Sequence, residues 1–193
     1  MRISEKSKKG YSYLSRVIFW AQKKKYGETL SPTKLWARSP KLLYGLQGLY
    51  RALDRKTSPL EPALRSLINV RVSQINHCEF CVDISSSLLQ KRKVSTDKIK
   101  ALAQYGESSL FSDKEKVALA YAEAMTYPDR GVSDAVFDKV RQYFSEDETV
   151  ELTALIGYQN LSSKFNAALG VLPQGFCFIP SGKAEKKDPD ASV

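Results

Sequence analysis

The sequence predicts an all-α, single-domain helical bundle, and three observations lead there. Apolar residues recur at intervals of three and four, the period of one helix face. Serine, threonine and proline stand where helices begin. No stretch sustains the strict polar–apolar alternation of a half-buried strand, and no internal repeat divides the chain. With 193 residues, 42% of them hydrophobic and 10% aromatic, the chain is long enough for one sizeable core and has no composition break that calls for a second.

Residues 1–10 are polar and basic and are expected to form a flexible arm outside the core. The helical domain is expected over 11–180, followed by a disordered tail over 181–193 that mixes Lys, Asp, Glu, Pro and Gly. Within the domain, Leu14, Val17, Ile18 and Ala21 mark a first helix face. Leu42, Leu43, Leu46, Leu49, Tyr50 and Leu53 mark another, opened by Ser39-Pro40, because a first helical turn has no use for the N–H that proline lacks. Ser58-Pro59 reads the same way and predicts a helix over about 60–76. Further helices are expected over about 79–92, 96–104, 113–126, 133–144 and 147–170. Ser95-Thr96-Asp97 caps the second of this series, and Ser112 with Glu115 forms a capping box before the third.

The net charge is +9, and eight of the positive side chains lie in residues 1–30 against two glutamates. A nucleic-acid groove spreads its cations along a whole face with aromatic residues between them, so a solvated basic arm is expected and no nucleic acid. The stripe of Tyr11, Tyr13, Leu14, Val17, Ile18 and Trp20 fits a partner subunit better than an anionic membrane, and membrane contact is not expected. Val17-Ile18-Phe19-Trp20-Ala21 is shorter than a signal-peptide core, and three cysteines cannot build a structural disulfide framework. Both point to a reducing, cytoplasmic setting.

Two of those cysteines carry the chemistry. In Ile75-Asn76-His77-Cys78-Glu79-Phe80-Cys81-Val82-Asp83 a Cys-x-x-Cys stands at a helix start. The spacing brings the sulfurs within bonding reach, and the free N–H groups and dipole of the helix favour a thiolate there. A closed zinc site needs four ligands, whereas the chain offers this pair, His77 and distant Cys177, so no metal and no cofactor are expected. A thioredoxin-like site needs a preceding strand, and the residues before Cys78 read as helix. Cys177, between two phenylalanines, is expected to be a buried inert thiol.

Three blocks, residues 67–83, 111–126 and 156–170, resemble the carboxymuconolactone decarboxylase superfamily, and within it the branch of alkyl hydroperoxidase D. The resemblance implies an all-helical homo-oligomer, a dimer, trimer or hexamer. It also implies a hydroperoxide substrate, Cys81 as the attacking sulfur, Cys78 as the resolving one, and a dithiol or thiol-protein reductant. The family's proton relay has a Glu twelve residues before the first cysteine and a His four after the second, where this chain has Ser66 and Ser85. Phe80 likewise stands where alkyl hydroperoxidase D has a further His.

That loss has a size. Lowering a thiol pKa from about 8.5 to about 6.5 gains only about threefold in rate, because nucleophilicity falls as the thiolate fraction rises. A positioned acid or base contributes roughly 10²–10⁴-fold. Weak peroxidase turnover with intact disulfide chemistry is therefore expected, with a non-catalytic or redox-sensing oligomer as the alternative. Muconolactone decarboxylation ranks last, since it has no use for a cysteine pair.

Candidate substitutes for the relay are Ser85, one turn past Cys81; His77, the only histidine; and Glu123, a carboxylate among small apolar residues. An ion pair with Lys or Arg is the competing role for Glu123. Asp83 points away from the sulfur of Cys81 and is expected to make an ion pair or a subunit contact.

Overall fold

The computed structural model describes residues 1–177, so the expected tail over 181–193 and the end of the expected domain lie outside the described residues. Among the described residues the regular structure is helical, with no strand. The helices are α1 (Tyr13–Tyr26), α2 (Ser31–Trp36), α3 (Pro40–Leu53), α4 (Pro62–Ile75), α5 (Glu79–Lys91), α6 (Thr96–Lys100), α7 (Asp113–Thr126), α8 (Asp134–Tyr143) and α9 (Glu146–Ala168).

Caps set most boundaries. Ser12, Ser95, Ser112, Ser133 and Ser145 each accept an N–H from the first turn of their helix, and Ser112/Glu115 and Ser145/Glu148 close full capping boxes. Two expectations shift. The segment expected as one helix over 96–104 is α6 followed by a tighter 3₁₀ turn, Ala101–Gln104. Ser58-Pro59 opens no helix; α4 begins at Pro62 instead. The Ser58 hydroxyl is committed elsewhere, donating to Glu151 of α9 at 2.8 Å and accepting from the Leu60 N–H at 3.3 Å, a local turn that leaves no cap to offer.

Helix α4 is the axis of the bundle. Leu64, Ile68 and Val72, at spacings of four, pack with Ala118, Tyr121 and Ala122 of α7, Val140 of α8, and Leu152 and Ile156 of α9. Leu67 and Val70 on its other side pack with Leu89 of α5, Ile99, Leu102 and Leu119. Each fully buried Leu or Ile of this kind contributes roughly 1.5–3 kcal/mol. Burial on both sides fixes where the C-terminal end of α4 points, and the cysteine pair follows directly from that end.

Tyr11 leaves the expected N-terminal stripe. It is buried, edge-on to Phe19 at 5.0 Å, while Tyr13, Leu14, Val17 and Trp20 remain exposed on α1. The arm itself stays outside the buried core yet is tethered to it. The Arg2 N–H donates to Leu169 O at 2.8 Å, Glu5 pairs with Lys34 at 2.8 Å, and Arg38 donates to Ser4 O at 3.1 Å. Among the described residues no helix is long and apolar enough to cross a membrane.

Candidate active site

Between α4 and α5 the chain turns through Asn76 and His77, the latter at φ 53°, a left-handed conformation that histidine and asparagine tolerate better than most residues. Cys78 then becomes the N-cap of α5. Its N–H donates to Ser73 O at 3.0 Å, and its sulfur accepts the Cys81 N–H at 3.2 Å. The turn is bolted to α9 by Asn76, whose amide donates to Asn160 at 2.9 Å and to Ser163 at 2.8 Å. Ser73 is held in the same way by the Gln159 amide at 2.7 Å.

The sulfurs of Cys78 and Cys81 are bonded to each other, with their Cα atoms 5.2 Å apart. Both residues are buried, 2% and 3% exposed. They differ in what they face. Cys81 lines an open cavity of about 460 Å³ between α1, α2, α3, α4, α5 and α9, whose walls include Ile18, Trp36, Leu43, Tyr50 and Tyr158. Cys78 is not part of that lining, although both cysteines belong to one buried cluster with Leu35, Phe80 and Val171. The Cys81 sulfur also accepts a hydrogen bond at 3.2 Å from Nδ2 of Asn166 on α9. Each sulfur thus has one N–H donor, a backbone amide for Cys78 and a side-chain amide for Cys81.

Burial pushes the Tyr158 phenol up to about 12 and raises that of Tyr50 further still, so both remain protonated at neutral pH and act only as neutral walls.

The pattern of the carboxymuconolactone decarboxylase family matches residues 40–124. YnjA of Escherichia coli K12, an uncharacterised protein, is 44% identical over 165 residues, which cover 86% of this chain and 91% of YnjA. The chain belongs to the carboxymuconolactone decarboxylase family. Its fold is that of the alkylhydroperoxidase AhpD core. The structure of such a core, a peroxidase-related protein of Ralstonia eutropha JMP134, matches with a TM-score of 0.81 at 19% identity, covering 91% of this chain and 93% of that one. The debrominase Bmp8 shares the fold, with a TM-score of 0.77 at 20% identity, covering 89% of this chain and 91% of Bmp8. The same fold therefore serves a debrominase as well as a peroxidase-related protein.

The structure gathers some of the candidate residues and disperses others. Ser85 is buried and lines the cavity with Cys81. Ser66, at the position of the family's relay carboxylate, is turned onto Arg92, whose Nη1 donates to its hydroxyl at 2.6 Å. Arg92 in turn pairs with Asp54 at 3.0 Å, so Ser66 belongs to a charged cluster rather than to the cavity wall. Glu123 is likewise elsewhere: it pairs with Arg71 at 2.6 Å and Arg130 at 3.3 Å, and does not line the cavity. A buried-side carboxylate finds its cations there, and no relay role at Cys81 is open to it. His77 is exposed and outside the cavity lining.

Asn166, Gln159, Asn160 and Ser163 went unread in the sequence. The available signal was Gln159, Ser163 and Asn166, spaced by four and three on one face of α9 with Asn160 next to the first, a pattern that marks a buried polar seam.

Asp83 holds the segment after α9. Its carboxylate accepts the backbone N–H groups of Gln174 at 2.9 Å, Phe176 at 3.1 Å and Cys177 at 2.7 Å. Phe176 thereby lies edge-on to Phe80, beside the cysteine cluster, and Cys177 is half-buried rather than sealed in the core. Replacing Asp83 by Ala is expected to destabilise the fold by about 1.5–3 kcal/mol, the range for hydrogen bonds to a charged group. Denaturant unfolding measures the loss, and amide exchange is expected to accelerate selectively at residues 174, 176 and 177.

Proposed function

We propose that the protein is a thiol-dependent, peroxidase-like oxidoreductase that reduces hydroperoxides through the Cys78/Cys81 pair. The single observation carrying this reading is that the bonded pair caps a helix start while one sulfur, Cys81, opens onto an apolar cavity. The Cys81 thiolate attacks the distal oxygen of the hydroperoxide. An S–O bond forms, the O–O bond breaks, and the alkoxide leaves and takes a proton from water. The Cys78 thiolate then attacks the sulfenic acid sulfur, forming the disulfide and releasing hydroxide, which leaves as water once protonated. A dithiol or thiol-protein reductant returns both sulfurs to thiols, which places the cycle in a reducing, cytoplasmic compartment.

Turnover is slow in this reading. Ser85 is the hydroxyl nearest in chain to Cys81 along the cavity wall, and it can bind a water or the departing oxygen without supplying charge. Ser66, Glu123 and His77 do not make up the deficit, for the geometric reasons above. Assembly into a homo-oligomer belongs to the same reading, supported by the exposed Tyr13, Leu14, Val17 and Trp20 on one helix.

The test is thiol counting. Reduced protein mixed with one equivalent of cumene hydroperoxide is expected to lose two titratable thiols within minutes and to regain them on addition of dithiothreitol. Retention of both thiols over hours would favour the non-catalytic oligomer.

A further inference from the structure

Two residues of the cavity that Cys81 lines, Asn69 and Asn166, carry side-chain oxygens that nothing among the described residues satisfies and that lie just beneath its surface. Asn166 is only 2% exposed; its Nδ2 donates to the Cys81 sulfur, and its Oδ1 is buried without a hydrogen-bond partner. Asn69 of α4 lines the same cavity, and its Oδ1 is also buried and unpartnered. Gln159 beside them is already engaged with Ser73. Buried acceptors are almost always paired, so two orphans in residues that line the reactive sulfur's cavity mark a place for a ligand that brings its own donor hydrogen, met by a turn of each amide toward the cavity.

We propose that Asn166 is a catalytic residue that holds the Cys81 sulfur as a thiolate, and that the Asn69 and Asn166 oxygens accept the O–H of the hydroperoxide. The substrate half of this inference rests on the peroxidase reading above; the half concerning the sulfur stands apart from it. An N–H aimed at sulfur stabilises the thiolate more than the thiol, because the charged acceptor binds the proton more strongly. An O–H held by an amide oxygen keeps its hydrogen on the distal peroxide oxygen. That oxygen is the one transferred, so the hydrogen ends on the Cys81 sulfenic acid and the alkoxide is reprotonated by water. The same acceptors then hold the sulfenic O–H while Cys78 attacks. The apolar remainder of the hydroperoxide lies against Ile18, Trp36 and Leu43.

The experiment uses the full chain with Cys78 and Cys177 replaced by Ser, so that Cys81 is the sole thiol. Its reaction is followed with methyl methanethiosulfonate, which has no O–H or N–H to donate, and with cumene hydroperoxide. Asn166→Ala is expected to move the midpoint of the methanethiosulfonate pH–rate profile upward by about one unit, the displacement that loss of a hydrogen bond to a charged group produces. Asn166→Asp keeps the side-chain size and places a negative charge beside the sulfur, so it is expected to move the midpoint further in the same direction. Asn69→Leu is expected to lower the hydroperoxide rate relative to the methanethiosulfonate rate by about tenfold. Circular dichroism checks that each variant folds.

A profile unmoved in both Asn166 variants overturns the thiolate role. An unchanged ratio in Asn69→Leu overturns the acceptor role and leaves an ordered water as the occupant of that wall. If Cys81 reacts with methanethiosulfonate and not at all with hydroperoxide, the peroxidase reading and the Asn69 assignment fall together, and the Asn166 profile still decides its own half.

Discussion

Cys81→Ser is expected to bring hydroperoxide consumption down to the uncatalysed background, whereas Cys78→Ser consumes about one equivalent per chain and stops. The asymmetry follows from what each sulfur faces. Cys81 lines the cavity, the approach by which an organic hydroperoxide reaches a sulfur, whereas Cys78, 2% exposed, is not part of its lining. Without Cys78 the sulfenic acid on Cys81 has no neighbour to resolve it, and the cycle halts after one oxidation. Electrostatics alone points the other way. Cys78 is the N-cap, its sulfur accepts the Cys81 N–H, and a helix N-terminus stabilises a thiolate. If that stabilisation governed the attack, Cys81→Ser would be the variant that consumes one equivalent. Stopped-flow consumption of cumene hydroperoxide, with dimedone trapping of the sulfenic acid, separates the two outcomes. We expect access to prevail, since a stabilised thiolate that substrate cannot reach does not react.

Ser85→His is expected to raise steady-state turnover with dithiothreitol by about 10²-fold, the lower end of what a positioned acid–base group contributes. Ser85 lies one helical turn beyond Cys81 and on the same cavity wall, so an imidazole there enters open volume instead of displacing packed core. The departing alkoxide is a strong base, and among the described residues the wild-type wall carries no carboxylate or imidazole to serve it, its charged side chains being Lys25 and Arg51. The gain requires the protonated imidazole. It should therefore be greatest below the histidine's ordinary pKa of about 6.5 and fade as pH rises above it. A gain with the opposite pH dependence would mean that the imidazole deprotonates a thiol rather than protonating the leaving group. No gain at any pH would mean that proton delivery does not limit turnover.

Local spacing accounts for what was legible beforehand. The α4, α5, α7, α8 and α9 boundaries fall within a few residues of those expected, because the apolar period and the serine caps are properties of neighbouring residues. Within that tolerance the start of α4 moves from Ser58-Pro59 to Pro62, because Glu151, 93 positions away, claims the Ser58 hydroxyl. At the site, the cysteine pair and Ser85 were readable from their i to i+3 and i+4 relation on α5. Ser66 was placed by the family pattern and is drawn off by Arg92, while Glu123, singled out for its setting among small apolar residues, makes the expected ion pairs, with Arg71 and Arg130.

By itself the sequence determined a helical bundle with two sulfurs able to bond across the start of one helix, since both follow from contacts within a single turn. Only the tertiary structure decided which sulfur meets the cavity, that Asn166 of α9 is the side chain touching it, and that Asp83 clasps the segment following α9. Those contacts join residues 85 or more positions apart. They depend on how α9 packs across α4 and α5, a matter of long-range burial that no short window of residues encodes.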